Sequence, residues 1–301
     1  MVYSSRVFLA DASDKPYGLQ KLLEEFDLHT EGTVALKANY NSDDPFPATT
    51  HPETLSVLTE HLVKSAHRLI MAERSGMGNT SSVLKNRGVL DLSRRLSFKL
   101  LNLDSLDPAG WYDVQAEGLH WRQGFKIAKV FVEADKVIQT CCLKTHRFGG
   151  HFTMSLKNSV GLIAARPKGI SYDYMRELHT SPFQRLMIAE INKFYKTDLI
   201  LMDAAQGFSQ GGPDKGTLIK PGLLLASADR VAIDAVGVAL LRLYGTTHEV
   251  MNGRIFEQEQ IAHAANLGVG VDAANKIELV THDEHSQKAA DAIQEMLDTQ
   301  G

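Results

Sequence analysis

The chain has 301 residues, 44% of them apolar, and a formal net charge of −4. It is long enough to bury a large core, and its weak net charge argues against nucleic acid or an acidic membrane as a partner. No apolar run approaches the roughly 20 residues of a membrane-spanning helix, and the run near the N-terminus is too short for a signal peptide. We therefore expect a cytoplasmic enzyme or binding protein. The sequence leaves a homo-oligomer open.

The first half of the chain alternates short apolar runs with helical segments. A strand is predicted from Thr33, and the helix after it has capping-box spacing between Thr50 and Glu53. A second strand, RLIMAE, leads into the glycine loop RSGMGNTSS. Residues from about 84 to 130 begin as a helix with a break at Gly88 and continue with the Trp, Tyr and alternation of irregular or antiparallel β structure. We interpret this segment as an insertion.

The second half follows the same alternation. A strand, KVIQTCCLKTH, precedes the helix FTMSLKNSVGLIA, and a further helix is predicted with Ser181 as its N-cap. The apolar strand DLILMDAAQ, a glycine-rich loop, the strand LLLASAD and a helix ending at Gly245 come next. An acidic amphipathic helix fills about 283–301. The pattern predicts a single α/β domain over residues 1–301, with a mainly parallel sheet and helices on both faces.

Polar residues cluster where the predicted strands end. Ligands of open parallel sheets bind at the carboxyl ends of the strands. The chain also contains no Asp or Glu from Lys136 to Tyr172, although six Lys and Arg residues lie in that window. Partly buried cations require an anionic partner, so the pattern predicts an anion site. The candidate ligand-binding residues are Lys37, Asn39, Gly76, Gly78, Lys144, Asn158 and Asp229.

Backbone amides are expected to complete this anion site. The donors would come from residues 76–79, from residues 148–151 and from the first turn of the following helix. Neither glycine loop matches a dinucleotide fingerprint or a P-loop. Proton transfer is a further hypothesis, because a lysine desolvated beside other cations has a lowered pKa and can act as a general base. The catalytic candidates are Lys144, Lys157 and Asp203.

A divalent metal is the competing chemistry. His146 and His151, together with the carboxylate of Asp203, offer enough ligands for a site with an open coordination position. Taken alone, each histidine is better explained by a structural hydrogen bond than by a metal. Cys141 and Cys142 point to opposite faces of one strand, so they cannot both bind one ion. We therefore do not expect an iron–sulfur cluster.

Three segments, LKTHRFGGHFTMSLKNSVGLI, DLILMDAAQGFSQGGPDKG and LLLASADRVAIDAVG, resemble the family called Domain of Unknown Function 362. The resemblance runs from about Thr33 to Gly245. The family has no settled activity, so no residue roles are implied. Many members add a ferredoxin-like module with CxxCxxC motifs, a pattern that does not occur in these 301 residues, so we do not expect this chain to carry the module. The positions that match the family pattern are Lys144, Thr145, His146, Lys157, Asn158, Asp203, Asp229 and Asp234.

Two functions remain open from the sequence. The first is binding, with or without chemical transformation, of a small anionic metabolite at the strand ends, with a metal ion as an optional component. The second is a non-catalytic partner module of a redox or iron–sulfur system. A pocket at the strand ends would favour the first, and an exposed apolar patch around the inserted segment would favour the second.

Overall fold

The computed structural model describes residues 4–301 and is built around one large sheet with helices on both faces. Short 3₁₀ turns connect several elements. The strands are β1 (Ser5–Asp11), β2 (Thr30–Lys37), β3 (Ala66–Glu73), β4 (Lys99–Asn102), β5 (Trp111–Val114), β6 (Phe125–Ala128), β7 (Lys136–His146), β8 (His151–Phe152), β9 (Leu199–Gly211), β10 (Gly216–Ile219), β11 (Leu223–Ser227) and β12 (Ile277–Thr281). The helices are α1 (Lys15–Glu24), α2 (Pro52–Ser65), α3 (Thr80–Asn86), α4 (Val89–Leu96), α5 (Lys129–Glu133), α6 (Ser155–Asn158), α7 (Tyr174–Thr180), α8 (Gln184–Ile191), α9 (Arg230–Leu243), α10 (His248–Met251), α11 (Glu259–Asn266) and α12 (Glu284–Gln300).

The strand order of the main sheet is β12-β1-β11-β9-β7-β2-β3-β4. Adjacent strands are parallel from β9 through β4, and β12 is parallel to β1. Strand β11 alone reverses the direction along this path, because it pairs antiparallel with both β1 and β9. The predicted mainly parallel α/β sheet is therefore confirmed. The carboxyl ends of β7, β2 and β3 lie next to one another at one edge.

The side chains of each strand alternate between two cores, one on each face of the sheet. One face packs under α1 and α2, with Val34 and Leu36 of β2 among its buried residues. The other face packs under α9, where Cys141 and Leu143 of β7 are buried. Near β2 that second face continues under α8 and the β5–β6 pair. Helices thus cover both faces, as parallel sheets require when both sides of every strand are apolar.

The inserted segment is shorter than the predicted 84–130. Strand β4 joins the main sheet beside β3, so the α3–α4–β4 stretch belongs to the sheet layer. What remains is a two-stranded antiparallel pair, β5 and β6, with its flanking turns. The break at Gly88 is correctly placed, because this glycine lies between α3 and α4 with φ of +74°. A strand at the sheet edge was hidden in the sequence by its short length of four residues.

Several predicted helix ends are displaced by a few residues. The N-cap of α2 is His51 rather than Thr50, because the His51 side chain accepts the Glu53 amide and Pro52 occupies the first turn. Ser181 accepts the Phe183 amide ahead of α8, which begins later than predicted. The C-terminal acidic helix is present as α12. These shifts are typical of helix boundaries, where neighbouring residues compete for the same unpaired amides.

Candidate functional site

A cavity of about 960 Å³ opens at the carboxyl ends of β2, β3 and β7. Chain segments that follow these three strands form one side of it, and α6 and α7 form the other. The predicted residues Lys37, Asn39, Gly76, Gly78, Lys144 and Asn158 line this cavity together, and His146 and Lys157 join them. We call it the strand-end cavity. Its cationic side chains are Lys37, Arg74, Lys144, Lys157, Arg166 and Arg176, and its carboxylates are Asp104 and Asp173.

Lys37 is paired within the protein. Its ammonium lies 2.8 and 2.9 Å from the two carboxylate oxygens of Glu73, and both side chains are buried. It also donates to Asn158 Oδ1 at 3.3 Å. Burial lowers the pKa of Lys37 and raises that of Glu73, while the attraction between the two charges opposes both shifts. The positive charge of Lys37 is therefore largely compensated by Glu73.

Lys144 has no comparable partner. Its ammonium donates to the backbone oxygen of Ala48 at 2.5 Å, and in the described chain no carboxylate lies within ion-pair distance of it. Only 1% of the residue is exposed. Burial lowers the pKa of Lys144, and the nearby Lys37 adds to that shift. Lys144 lies five residues past Gln139, the register partner of Lys37, so the two lysines reach the cavity at different heights.

Lys157 and His146 both lie against Gly150, in the turn that follows β7. A Cβ added to Gly150 would lie 2.7 Å from His146 Nδ1 and 3.1 Å from Lys157 Cε, so only glycine fits between them. Burial and the charges of Lys144 and Arg74 lower the pKa of Lys157 to about 8. The Lys157 ammonium has no hydrogen-bond or ion-pair partner among residues 4–301. A minor fraction of this amine is therefore neutral near pH 7.

His146 is held in one tautomer. Its Nδ1 accepts the Gly150 amide at 3.2 Å, which leaves the proton on Nε2. Burial and the charge of Lys157 hold the pKa of His146 well below its usual range. The imidazole is therefore a neutral ring that can donate one hydrogen bond from Nε2.

Arg74 was missed by the sequence analysis. It follows Glu73 directly at the end of β3, and its guanidinium donates to the backbone oxygens of Ile163 and Val160 at 3.0 and 2.8 Å. These acceptors are neutral, and the side chain is buried with no carboxylate within ion-pair distance in residues 4–301. Its position one residue after a strand end was the signal available. Arg166 differs, because Asp173 binds its guanidinium at 2.5 Å.

Part of the predicted set of amide donors is already occupied. The amides of Ser155 and Leu156, at the start of α6, donate to the two oxygens of Asp234 at 2.8 and 2.9 Å. Burial raises the pKa of Asp234 to about 7, against these two hydrogen bonds. The helix start is thus capped from within the core. The expectation that it would offer amides to an anion is wrong.

Asp203 is remote from this chemistry. It lies on the face of β9 that packs on α1 and α2, where Lys15 Nζ and Thr54 Oγ1 bind one of its oxygens at 2.6 and 2.7 Å. The Ala205 amide binds the other oxygen at 3.1 Å. The carboxylate does not line the strand-end cavity. Its predicted catalytic and metal roles are therefore not supported by its position.

Asp229 lies at the opposite edge of the sheet. Because β11 runs antiparallel to its neighbours, its carboxyl end meets the amino end of β1. There Asp229 accepts hydrogen bonds from the Val231 and Ala232 amides, from Ser5 Oγ and from the Val271 amide. The prediction that Asp229 joins the ligand site is wrong. Its role is to cap α9.

The predicted metal ligands His146, His151 and Asp203 do not gather. His146 faces the cavity, whereas His151 lies outside it near Arg185 and Glu259, and Asp203 is bound to Lys15. A different group meets the distance requirement for a metal within residues 4–301. The potential ligand atoms of His120, Glu190 and His263 all lie within 4.8 Å of one another. No CxxC or HxxxH spacing marks this group in the sequence.

The adjacent cysteines are two separate core residues. Cys141 packs under α9, and Cys142 donates to the Thr49 backbone oxygen on the other face at 3.4 Å. Burial raises the pKa of Cys142 to about 11 and raises that of Cys141 as well. Both are free thiols. The prediction that they point to opposite faces is confirmed.

The family model described as Domain of unknown function (DUF362) matches residues 34–239. The chain belongs to this family. The matched region contains the second half of β2, all of β3 and β7, and every residue that lines the strand-end cavity. The resemblance inferred from the Lys-Thr-His and Leu-Lys-Asn segments is thereby confirmed. The family description assigns no activity to these residues.

Two further similarities accompany the family match. A thylakoid-associated protein of Synechocystis sp. is 25% identical over 202 residues, which make up 67% of this chain and 60% of that protein. The chain thus spans less than two thirds of that relative. The structure of the lactate racemase apoprotein from Thermoanaerobacterium thermosaccharolyticum aligns with a TM-score of 0.44 at 14% identity, covering 75% of this chain and 55% of that one.

Within residues 4–301, no helix combines the length and the apolar character needed to cross a bilayer.

Proposed function

We propose that this DUF362 protein binds a small anionic metabolite, such as a carboxylate or a phosphate ester, in the strand-end cavity. The observation that supports this proposal is the set of three cations, two buried and one half-buried, that line the cavity without a carboxylate partner. They are Arg74, Lys144 and Lys157, and none has a carboxylate oxygen within 4.0 Å in the described chain.

Uncompensated burial is costly for a cation. The charged form loses its hydration, and backbone oxygens replace only part of it. Arg74 and Lys144 keep neutral oxygen acceptors, and Lys157 has none in the part of the chain described. An anion in the cavity would supply the missing charge to all three. In the free protein, these uncompensated charges therefore lower the stability of the fold, and a bound anion would remove that cost.

The size and polarity of the cavity suit a metabolite. Its volume of about 960 Å³ lies at the upper end of the range of roughly 300–1,000 Å³ typical of small-molecule pockets. Asn39 and Asn158 add amide groups, and the Nε2 donor of His146 adds a directed hydrogen bond. The lining thus combines charge with oriented neutral donors, which is typical of selective recognition.

Lys157 is the residue we assign to proton transfer. A pKa of about 8 leaves part of the amine neutral near pH 7, and the neutral amine can accept a proton from a bound substrate. The positive charges of Lys144 and Arg74 would stabilise the negative charge that then develops on the substrate. We assign to Lys144 the role of holding the bound anion by its positive charge.

The alternative, a partner module of a redox system, has less support. It would be favoured by an exposed apolar patch around the inserted segment, but the aromatic side chains Trp111, Trp121 and Phe125 of that segment are buried. A cytoplasmic location stays a prediction.

Thermal melting with a panel of anions tests the proposal. Phosphate, sulfate and small carboxylates are added to the full chain at fixed ionic strength, so that general screening cancels. A ligand at 100 times its Kd should stabilise the parent by about 2.7 kcal/mol. Lys144→Met keeps much of the side-chain stem and removes the charge. We expect this variant to be at least as stable as the parent without ligand, and to lose most of the ligand-induced gain.

The control is Lys196→Met, which removes an exposed lysine away from the cavity. It should respond to every anion as the parent does. If Lys144→Met also responds like the parent, or if no anion in the panel stabilises the parent, the proposed anion site is wrong.

A further inference from the structure

A second polar cluster lies where the inserted segment meets α8 and α11. It consists of His120 in the loop between β5 and β6, Glu190 near the end of α8, and His263 in α11. Glu190 Oε1 lies 2.5 Å from His120 Nδ1 and 3.4 Å from His263 Nε2. The two imidazole rings meet edge to face, with centroids 5.6 Å apart. None of these residues lines the strand-end cavity.

Glu190 has an unusual charge environment. Its side chain is 1% exposed, and its ion-pair partners within residues 4–301 are the two histidines and no lysine or arginine. Both of its oxygens also accept the His120 backbone amide, each at 3.1 Å. A buried carboxylate requires a compensating charge.

We propose that His120, Glu190 and His263 form a binding site for a divalent transition metal of the zinc class. Two imidazole nitrogens and one carboxylate oxygen form a ligand set that Zn²⁺ uses, and three protein ligands leave a fourth position for water. The metal provides the permanent countercharge that Glu190 otherwise lacks.

The present distances are close to those of such a site. Bonds of about 2.0–2.1 Å in tetrahedral geometry place neighbouring ligand atoms roughly 3.4 Å apart. The separation of His263 Nε2 from Glu190 Oε1 already has this value. His120 Nδ1 has to withdraw from the carboxylate by about 1 Å, and its proton leaves when the metal binds.

The ligands are held by neighbours that do not depend on the metal. Trp121, next to His120, is buried and donates to the Met187 backbone oxygen of α8 at 3.2 Å. The following amide, of Arg122, donates to Glu177 at 2.7 Å. The side chains of His120 and His263 are 32% and 23% exposed, so an ion can reach them from solvent. The bound ion would fasten the β5–β6 loop to α8 and α11.

Zinc titration of the chelator-treated full chain tests this site. We expect the parent to bind one Zn²⁺ per chain by calorimetry and to melt at a higher temperature with Zn²⁺ present. Co²⁺ should give the visible absorption of a tetrahedral nitrogen and oxygen site. His120→Ala, His263→Ala and Glu190→Gln each remove a ligand. Each should weaken zinc binding by more than the roughly 10- to 100-fold that loss of an outer-shell partner costs.

A matched control exists on the surface. His29 Nε2 also lies 3.4 Å from a glutamate oxygen, that of Glu31, but both side chains are largely exposed. His29→Ala should leave zinc binding unchanged. Circular dichroism checks folding, and if Glu190→Gln does not fold, the two histidine variants decide. Absence of stoichiometric zinc binding in the parent, or equal binding by the parent and both histidine variants, would overturn the site.

Discussion

Two lysine environments of this protein, each largely screened from solvent, differ in how the positive charge is compensated. Lys15 lies 2.6 Å from Asp203, which also accepts Thr54 and the Ala205 amide, so each charge in that cluster has a partner. Lys144 and Lys157 lie at the strand-end cavity without a carboxylate within ion-pair distance in residues 4–301. A compensated buried charge holds the fold together. A buried charge that faces a cavity without compensation indicates a ligand.

Breaking the compensated pair should have the largest effect on stability. Asp203→Asn keeps the shape of the side chain and leaves Lys15 buried without a countercharge. We expect a loss of about 3–5 kcal/mol in the free energy of unfolding, measured with urea. Asp91→Asn breaks an exposed pair with Arg94 and should change stability by less than about 0.5 kcal/mol. An equally small change in the free energy of unfolding of Asp203→Asn would show that the Lys15–Asp203 pair does not stabilise the fold as expected.

Removing the cap of α9 should have the next largest effect. Asp229→Ala loses the acceptor of the Val231 and Ala232 amides and of Ser5 Oγ, which should cost about 2 kcal/mol, the upper end for N-caps. Asp14→Ala, which removes one exposed cap contact, should cost less. Because Asp229 lies at the opposite edge of the sheet, the anion-induced stabilisation should persist in the variant. Loss of this anion-induced stabilisation in Asp229→Ala would show that Asp229 does belong to the ligand site.

The pH dependence of stability should report Lys157. Its pKa is about 8 in the folded protein and about 10.4 in an unfolded chain, so the folded state releases this proton first. Between pH 8 and 10.4 the unfolded state binds more protons, and stability gains with rising pH. Relative to Lys157→Met, we expect a gain of about 1–2 kcal/mol across this window, after allowance for the partial exposure of the residue. Parallel pH profiles for the two proteins would contradict the lowered pKa.

A crowding substitution should have the smallest effect on stability. A Cβ on Gly161 would lie 2.4 Å from Lys37 Cε and 2.9 Å from its Nζ, and Lys37 is held by Glu73. Gly161→Ala should therefore cost about 1 kcal/mol and weaken anion binding by displacing Lys37 into the cavity. The measurements are urea unfolding and the anion-induced shift of the melting curve. An unchanged anion response would mean that Lys37 contributes only to the fold.

The sheet and most of the cavity could be predicted from the sequence for one physical reason. Strand side chains alternate, and parallel strands bring their carboxyl ends together, so Lys37 and Lys144 were predicted to lie close together, and they line one cavity. The same reasoning failed for Asp229, because an apolar run such as LLLAS gives no sign of strand direction. β11 is antiparallel, and its end lies at the other edge.

The remaining errors come from tertiary contacts that spacing does not encode. Asp203 was assigned to the site by its strand-end position, but it is turned to the face where Lys15 of α1 reaches it. Arg74 was overlooked because the sequence does not show that its buried guanidinium has backbone oxygens but no carboxylate as acceptors. His120, Glu190 and His263 come from three distant segments, and only the packing of α8 against α11 and the inserted loop brings them together.

Calorimetric titration of the best anion from the melting panel tests the central claim most directly. The account predicts one anion bound per parent chain. Lys144→Met and Lys157→Met should each weaken binding by about 10- to 100-fold, the equivalent of one charge-assisted hydrogen bond, and Lys196→Met should have no effect. Equal affinities for the parent and both cavity variants would contradict the claim that uncompensated cations make this cavity an anion site.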